Sequence, residues 1–184
     1  MNYSLPCAVE IDGTSHNIRN KGDYRTVLDV IAVLNDPDLN DREKAYCSLQ
    51  IFYEDADSIK DNEKALREMF IFVNLGVNED NNRPTPRLMD WEQDFNIIVA
   101  PVNRIIGKEI RSMDYLHWWS FISAYYEIGD CCFANVVSIR KKLKTGKKLE
   151  KYERDYYRDN KSIIDLHERV STEEQELIDS ILNG

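Results

Sequence analysis

Helix-start signals recur along this chain, and they constrain its fold more than any other feature of the sequence. Asp23, Asn40, Asp90 and Ser171 each precede a stretch with apolar residues at helical spacing. Their side-chain oxygens can accept hydrogen bonds from the free N–H groups of a first helical turn. Asn40 and Ser171 are also followed three residues later by a glutamate, as in a capping box. The chain is therefore predicted to be mainly α.

The apolar residues after these signals give approximate bounds for the helices of the first part of the chain. Three helices are predicted there, over about 23–34, 40–53 and 61–75. In the second of them, Tyr46, Leu49 and Tyr53 fall on one stripe and are expected to face inward. These three helices are interpreted as packing elements without chemistry of their own.

A longer helix is predicted to follow Asp90. Its apolar residues recur at steps of four and three, as on one face of an amphipathic helix: Trp91, Phe95, Ile98, Val102 and Ile105. Pro101 lies inside this stretch. Because proline removes a backbone hydrogen bond and clashes with the preceding turn, we expect a kink near residue 97, a break into two helices or a short loop. The next helix is predicted to begin at Ser112 or Asp114 and to end at Gly129.

The opening of the chain has the turn of a β-hairpin. Two short segments, 8–11 and 16–19, flank Asp12-Gly13, a dipeptide that tolerates the positive φ angles of a hairpin turn. A lone hairpin is marginal in water, so it must pack on the helices or pair with a neighbouring chain. The predicted fold class is therefore mainly α, a helical bundle with a small N-terminal β-hairpin.

A polar stretch with two prolines, within 77–88, is the best candidate for a boundary between domains. It would separate the hairpin and three helices of 1–76 from a helical part over 89–184 that carries a basic arm. The alternative is one continuous domain in which 77–88 is a long surface loop.

Residue patterns of familiar catalytic and cofactor sites are missing from the sequence. The three histidines lie far apart, the four cysteines include no C-x-x-C pair, and the seven glycines form no phosphate-binding loop. Asp90, Glu92 and Asp94 cluster beside Trp91, but acids in a first helical turn are favoured by the helix dipole. We therefore expect no catalytic residue, no metal and no cofactor, and we do not expect an enzyme or a small-molecule substrate.

The charge of the chain is unevenly distributed. The net charge is −9, yet the segment 140–158, here called the basic arm, carries nine lysines and arginines against three acids. Its tyrosines follow helical spacing, so we interpret the arm as a helix that meets another protein. Binding of single-stranded nucleic acid is the less favoured alternative.

The candidate partner-binding residues combine this arm with two apolar stripes, one around the double tryptophan and one in the terminal helix. They are Trp118, Trp119, Ile122, Tyr125, Arg140, Lys141, Lys144, Lys147, Lys148, Lys151, Tyr152, Tyr156, Leu177 and Ile181. The terminal helix carries four apolar residues in all, since Ile178 and Leu182 accompany the last two.

Several short motifs resemble a bacteriophage family named for the fifteenth gene product of Listeria phage, which is found in long-tailed phages and prophages of Gram-positive bacteria. The motifs that carry the resemblance are LHWWSF at 116–121, YEIGD at 126–130, VSIR at 137–140, GKKLEK at 146–151, DWEQDF at 90–95 and APVN at 100–103. Weaker similarity at 5–6, 24–28 and 34–36 extends it over nearly the whole chain.

This resemblance implies a tail-assembly role. Genes of the family precede the tape-measure gene, in the place where other long-tailed phages encode tail assembly chaperones. Those chaperones are small, mostly helical and self-associating, and they coat the tape-measure protein until the tail tube forms around it. The family pattern contains no catalytic residues, so none are carried over.

The sequence thus leads to one main hypothesis and two alternatives. We expect a phage tail assembly chaperone that binds the tape-measure protein and itself, in the cytoplasm of the bacterial host. No stretch approaches the roughly 18 apolar residues of a membrane span, so we expect no membrane partner. The alternatives are a structural tail or tail-completion component of the virion, and a nucleic-acid-binding regulator that uses the arm over 140–158.

Overall fold

The computed structural model describes residues 4–78 and 86–183, and the side chains of Ile178 and Leu182, predicted above to be part of an apolar stripe, lie outside that description. Within these ranges the chain forms nine α-helices and one two-stranded antiparallel sheet, so the predicted mainly α fold with an N-terminal hairpin is confirmed. The elements are β1 Ala8–Ile11, β2 Thr14–Asn17, α1 Tyr24–Leu34, α2 Asp41–Phe52, α3 Asn62–Val73, α4 Trp91–Ile106, α5 Trp118–Tyr126, α6 Cys132–Lys144, α7 Lys151–Asp159, α8 Lys161–Ile164 and α9 Thr172–Asn183.

The hairpin turns at Asp12-Gly13 as predicted, with φ angles of 51° and 78°. The second strand begins at Thr14, not at the predicted residue 16, because a two-residue turn places Thr14 directly opposite Ile11. Beyond β2, Ile18 forms a bridge with Tyr53. The hairpin is thereby joined to the end of α2.

The chain divides into two compact units. The first comprises Met1–Glu79, Tyr115–Trp119 and Glu168–Gly184, and the second comprises Asp80–Asp114 and Ser120–His167. The predicted boundary over 77–88 stays a prediction, since most of that stretch lies outside the described residues.

In the first unit, α1 to α3 begin at the caps that the sequence indicates. The Asp23 side chain accepts from Arg25 N–H, Asn40 forms a full capping box with its glutamate, and Asp61 caps α3. The buried apolar side chains include Val27, Val30, Leu49, Phe52, Tyr53, Ala65, Met69 and Phe72. Tyr46 is exposed, which corrects the prediction that it faces inward, because α2 turns Ser48, Leu49 and Phe52 to the core.

In the second unit, α4 runs unbroken through Pro101, so the predicted break into two helices or loop is wrong. Pro101 itself is buried, together with Ile98 and Val102. The missing N–H removes one hydrogen bond, and burial of this apolar face maintains the helix across it. The unit's other buried apolar side chains include Ile110, Phe121, Ile122, Phe133, Val136, Ile139 and Ile164.

Helix α5 begins at Trp118, four to six residues later than the predicted starts at Ser112 and Asp114. Ser112 ends a short 3-10 helix, Ile110–Ser112. His117 then forms an isolated β-bridge with Asp23. Residues just before α5 are therefore held in extended conformation by a partner distant in sequence.

Candidate protein-binding surface

The double tryptophan holds the end of a helix. The indole N–H of Trp118 donates to the carbonyl oxygen of Val73, and that of Trp119 to Phe72, each at 2.9 Å. These carbonyls belong to the last turn of α3, beyond which no helical turn follows to donate to them; that of Phe72 also accepts from the N–H of Leu75. Trp118 is only 2% exposed. Both residues thus have a structural role in this unit. Burial of Trp118 corrects its interpretation as a partner-binding residue, whereas Trp119 is half-buried and its role in binding stays a prediction.

His117 acts as the cap of α5, a role that the sequence did not indicate. Its Nδ1 accepts from the N–H of Trp119 at 3.0 Å, and its Nε2 donates to the carbonyl oxygen of Pro6 at 2.9 Å. One neutral tautomer satisfies both contacts, because one ring nitrogen accepts while the other donates. Burial lowers the pKa of His117 below its usual value of 6.5.

The other two residues of the predicted aromatic stripe lie in the second unit and are largely covered. Ile122 is buried, and Tyr125 contacts the rings of Trp91 and Phe133, with centroid distances of 5.1 and 5.7 Å. Burial raises the pKa of Tyr125 to about 12. Ile122 and Tyr125 are therefore core residues here, not an open binding stripe.

Arg140, predicted to be part of the exposed arm, forms the centre of a buried hydrogen-bond network. Its guanidinium forms a two-pronged ion pair with Asp94, at 2.6 and 2.9 Å, and the two side chains are 3% and 0% exposed. Its remaining N–H groups donate to the carbonyl oxygens of Leu88, Ile163 and Ile164. All five N–H groups of Arg140 are satisfied, so none is left for a partner.

This network joins the motif at 90–95 to the motif at 137–140. Asp90 caps α4, and the Asp94 carboxylate accepts a hydrogen bond from the backbone N–H of Asp90 at 2.9 Å. Gln93 donates to the carbonyl oxygen of Asp165 and accepts from the N–H of His167. Asp90 and Asp94 thus have structural roles at the start of α4.

The turn between α6 and α7 is fixed at both ends. At the end of α6, Gly146 adopts a positive φ of 67° and the N–H of Lys147 donates to the carbonyl oxygen of Lys142, as in a Schellman motif. At the start of α7, Glu150 and Glu153 form a capping box. The ammonium of Lys142 donates to both oxygens of Glu153, at 2.6 and 2.7 Å, which raises the pKa of Lys142 and lowers that of Glu153. Helix α7, the second half of the basic arm, is therefore docked on α6.

This fixed turn displays a cluster of lysines, here called the lysine surface. It consists of Lys141, Lys144, Lys147, Lys148 and Lys151, all exposed. Among the residues that the structure describes, these five form no ion pair. A cluster of unpaired like charges is unfavourable in isolation and is complementary to an acidic partner.

Two open grooves lie along α6. The first, the tyrosine groove, has a volume of about 490 Å³ and is lined by Asn135, Ser138, Ile139, Tyr152, Glu153, Asp155, Tyr156 and Asp159. The second, the leucine groove, has a volume of about 460 Å³ and is lined by Arg140, Leu143, Lys144, Tyr157, Ile164, Asp165 and Leu166. Tyr152 is 71% exposed, and Leu143 is 40% exposed. Lys144 belongs to both the leucine groove and the lysine surface, so the two are continuous.

The remaining candidates lie on α9 in the first unit. Leu177 and Ile181 are 61% and 71% exposed. Of the residues proposed from the sequence, the exposed set therefore comprises the five lysines, Tyr152, Leu177 and Ile181, while Tyr156 is half-buried at the wall of the tyrosine groove.

Comparison with known proteins assigns the chain to a family. The family model described as "Bacteriophage Gp15 protein" matches residues 1–166. The chain belongs to the bacteriophage Gp15 family. Neither the curated proteins nor the solved structures contain a significant match to it. Membership in this family supports a role as a phage structural or assembly protein.

The described residues of this Gp15-family protein show neither a membrane-spanning helix nor a cluster of metal ligands. None of their helices combines the length and the apolar character needed to cross a membrane. Nor does that part of the chain bring three His, Cys, Asp or Glu side chains together in a geometry that would hold a metal ion.

Proposed function

We propose that this Gp15-family protein is a tail assembly chaperone that binds the tape-measure protein, associates with itself and acts in the cytoplasm of the bacterial host. The role needs no catalytic residue, cofactor or membrane. The observation that carries it is the tyrosine groove, an open concave surface beside the fixed α6–α7 turn. Family membership supports the phage context.

The tyrosine groove has the chemistry of a helix-binding surface. Tyr152, Tyr156 and Ile139 line it with aromatic and apolar groups. Its polar lining consists of Asn135, Ser138, Glu153, Asp155 and Asp159. An amphipathic helix binds such a groove by inserting apolar side chains spaced three and four residues apart. A long tape-measure helix offers that pattern repeatedly, so many copies can bind along its length.

The test is co-expression with the tape-measure protein encoded beside it, followed by pull-down and light scattering. We expect a soluble complex with many copies per tape-measure chain. If the tape-measure protein aggregates and no complex forms, the chaperone role is wrong. Presence of the protein in purified phage particles would instead favour a structural virion component, and a steeply salt-dependent affinity for DNA or RNA a nucleic-acid-binding regulator.

The groove is tested separately with Tyr152→Ala. Because an exposed aromatic anchor often contributes much of the binding energy, we expect about tenfold less captured tape-measure protein. Tyr126→Ala is the matched control, since Tyr126 lies on α5 of the same unit and is also 71% exposed. Equal capture by the two variants would exclude the tyrosine groove as the binding site.

A further inference from the structure

The last helix, α9, has one anchored end and an uncovered face. Its first turn is closed by a capping box between Ser171 and Glu174. Thr172 is joined to Asp38 by two hydrogen bonds, of 2.7 Å from its backbone N–H and 2.6 Å from its hydroxyl. The helix lies outside the residues that match the family model.

The exposed face of α9 combines apolar and acidic side chains. Leu177 and Ile181 are one turn apart, so they lie on the same side of the helix. The helix also carries four acids and no lysine or arginine: Glu173, Glu174, Glu176 and Asp179. Glu173 precedes Leu177 by one turn and therefore flanks the same side.

The lysine surface and the leucine groove of the second unit are complementary to that face. The groove presents the 40% exposed side chain of Leu143 together with the half-buried Leu166, and Lys144 also lines it. The acids of α9 can lie opposite the five unpaired lysines while its two exposed aliphatic side chains enter the groove. Such an arrangement matches opposite charges around an apolar centre, as protein interfaces do.

We propose that α9 of one copy binds the leucine groove and the lysine surface of a second copy. Within one chain, Leu177, Ile181 and Leu143 are all exposed, so they are accessible to a second molecule. The two surfaces differ, and each copy carries both. The contact is therefore heterologous, and it joins copies head to tail.

This inference rests on the self-association that is part of the proposed function, but it does not depend on binding of the tape-measure protein. It uses the leucine groove, whereas the tape-measure helix is assigned to the tyrosine groove. Failure of one proposal would not contradict the other, because self-association is measured with the isolated protein alone.

The experiment is a charge exchange measured by sedimentation velocity over a range of concentrations. One variant carries Glu173→Lys and Glu176→Lys, and the other carries Lys144→Glu and Lys148→Glu. Each alone brings like charges together, so we expect its apparent dissociation constant for self-association to rise by about tenfold or more. In an equimolar mixture, the native groove of the first variant meets the native α9 of the second, and the two changed surfaces match as well. Association in the mixture is therefore expected to return to about the native level.

Two controls separate this contact from general effects of charge and folding. Lys60→Glu with Lys108→Glu changes the net charge as much as Lys144→Glu with Lys148→Glu does, but at two exposed lysines outside the lysine surface. We expect this control to leave the dissociation constant for self-association nearly unchanged. Leu177→Ser with Ile181→Ser is expected to weaken association also at high salt, because burial of apolar surface is not screened by ions. Far-UV circular dichroism verifies that every variant is folded.

Each outcome of the charge-exchange experiment either supports or contradicts the proposed pairing. Loss of association in each charge variant and its return in the mixture support the pairing of α9 with the lysine surface. If the native protein associates and the mixture stays dissociated, or if the α9 variants associate as the native chain does, the pairing is wrong. A native chain that stays monomeric at every concentration would overturn both the pairing and the proposed self-association, whatever the tape-measure experiment gives.

Discussion

The ion pair between Arg140 and Asp94 offers the sharpest test of how the second unit is held together. Replacing Arg140 by lysine keeps the positive charge but changes the donors. The guanidinium makes five hydrogen bonds in fixed directions, whereas an ammonium has three donors on one nitrogen. At least two of these hydrogen bonds are therefore lost in Arg140→Lys.

The expected cost follows from these counts. Each buried polar group left without its hydrogen bond costs about 1–3 kcal/mol, so the loss of two is expected to lower the free energy of unfolding of Arg140→Lys by about 2–6 kcal/mol. Asp94→Asn leaves the buried guanidinium without its counter-charge, and we expect about 3–5 kcal/mol. These are large fractions of the 5–15 kcal/mol that is typical of a folded domain.

The assay is urea unfolding followed by far-UV circular dichroism, with the slope of each transition examined for departure from two-state behaviour. Lys141→Met is the control, because Lys141 neighbours Arg140 in the sequence but is exposed and unpaired in the described structure. We expect its unfolding midpoint to match that of the native chain. If the free energy of unfolding of Arg140→Lys lies within about 0.5 kcal/mol of the native value, as for a surface substitution, the hydrogen-bond network of Arg140 does not stabilise the unit.

Two further predictions concern the first unit. Because burial lowers the pKa of His117 below its unfolded value of 6.5, the unfolded chain binds the proton more readily than the folded chain does. The contribution of His117 to the free energy of unfolding should therefore be fully present above about pH 6.5 and be lost as the pH falls through the lowered pKa of the folded state. Urea titrations at several pH values test this, and a pH dependence that persists unchanged in His117→Gln would contradict it. Gly22→Ala should destabilise the chain more than Gly107→Ala, by about 1–3 kcal/mol. Both glycines have positive φ, but a Cβ at Gly22 would lie 2.7 Å from the ring of Phe72 while one at Gly107 meets nothing within 4 Å; equal thermal midpoints for the two variants would refute the predicted clash.

The helix starts at Asp23, Asn40, Asp90 and Ser171 could be predicted because a cap is a local interaction. The acceptor and the N–H groups that it satisfies lie within three residues of one another, so their geometry depends little on the rest of the chain. The hairpin turn at 12–13 was predictable for the same reason, since its two central residues alone must tolerate positive φ.

The candidate site was predicted only in part. The five lysines, Tyr152, Leu177 and Ile181 are exposed, but whether they bind a partner stays a prediction. The tertiary contacts of Trp118, Trp119 and Arg140 could not be predicted from their spacing in the sequence. Spacing tells which residues share a face of a helix; it does not tell what that face meets.

The sequence by itself determined where most helices begin, that the fold is mainly α and that positive charge gathers near the end of α6. Only the tertiary structure decided which of the prominent residues are free to meet a partner. Arg140 forms its ion pair with Asp94, 46 residues away in the sequence, and Trp118 donates a hydrogen bond to Val73, 45 residues away. Such contacts form only when distant segments pack together, and a buried polar group then forms hydrogen bonds with the groups that packing places beside it. Local propensity therefore specifies the helices, whereas the assignment of a residue to core or surface depends on the whole fold.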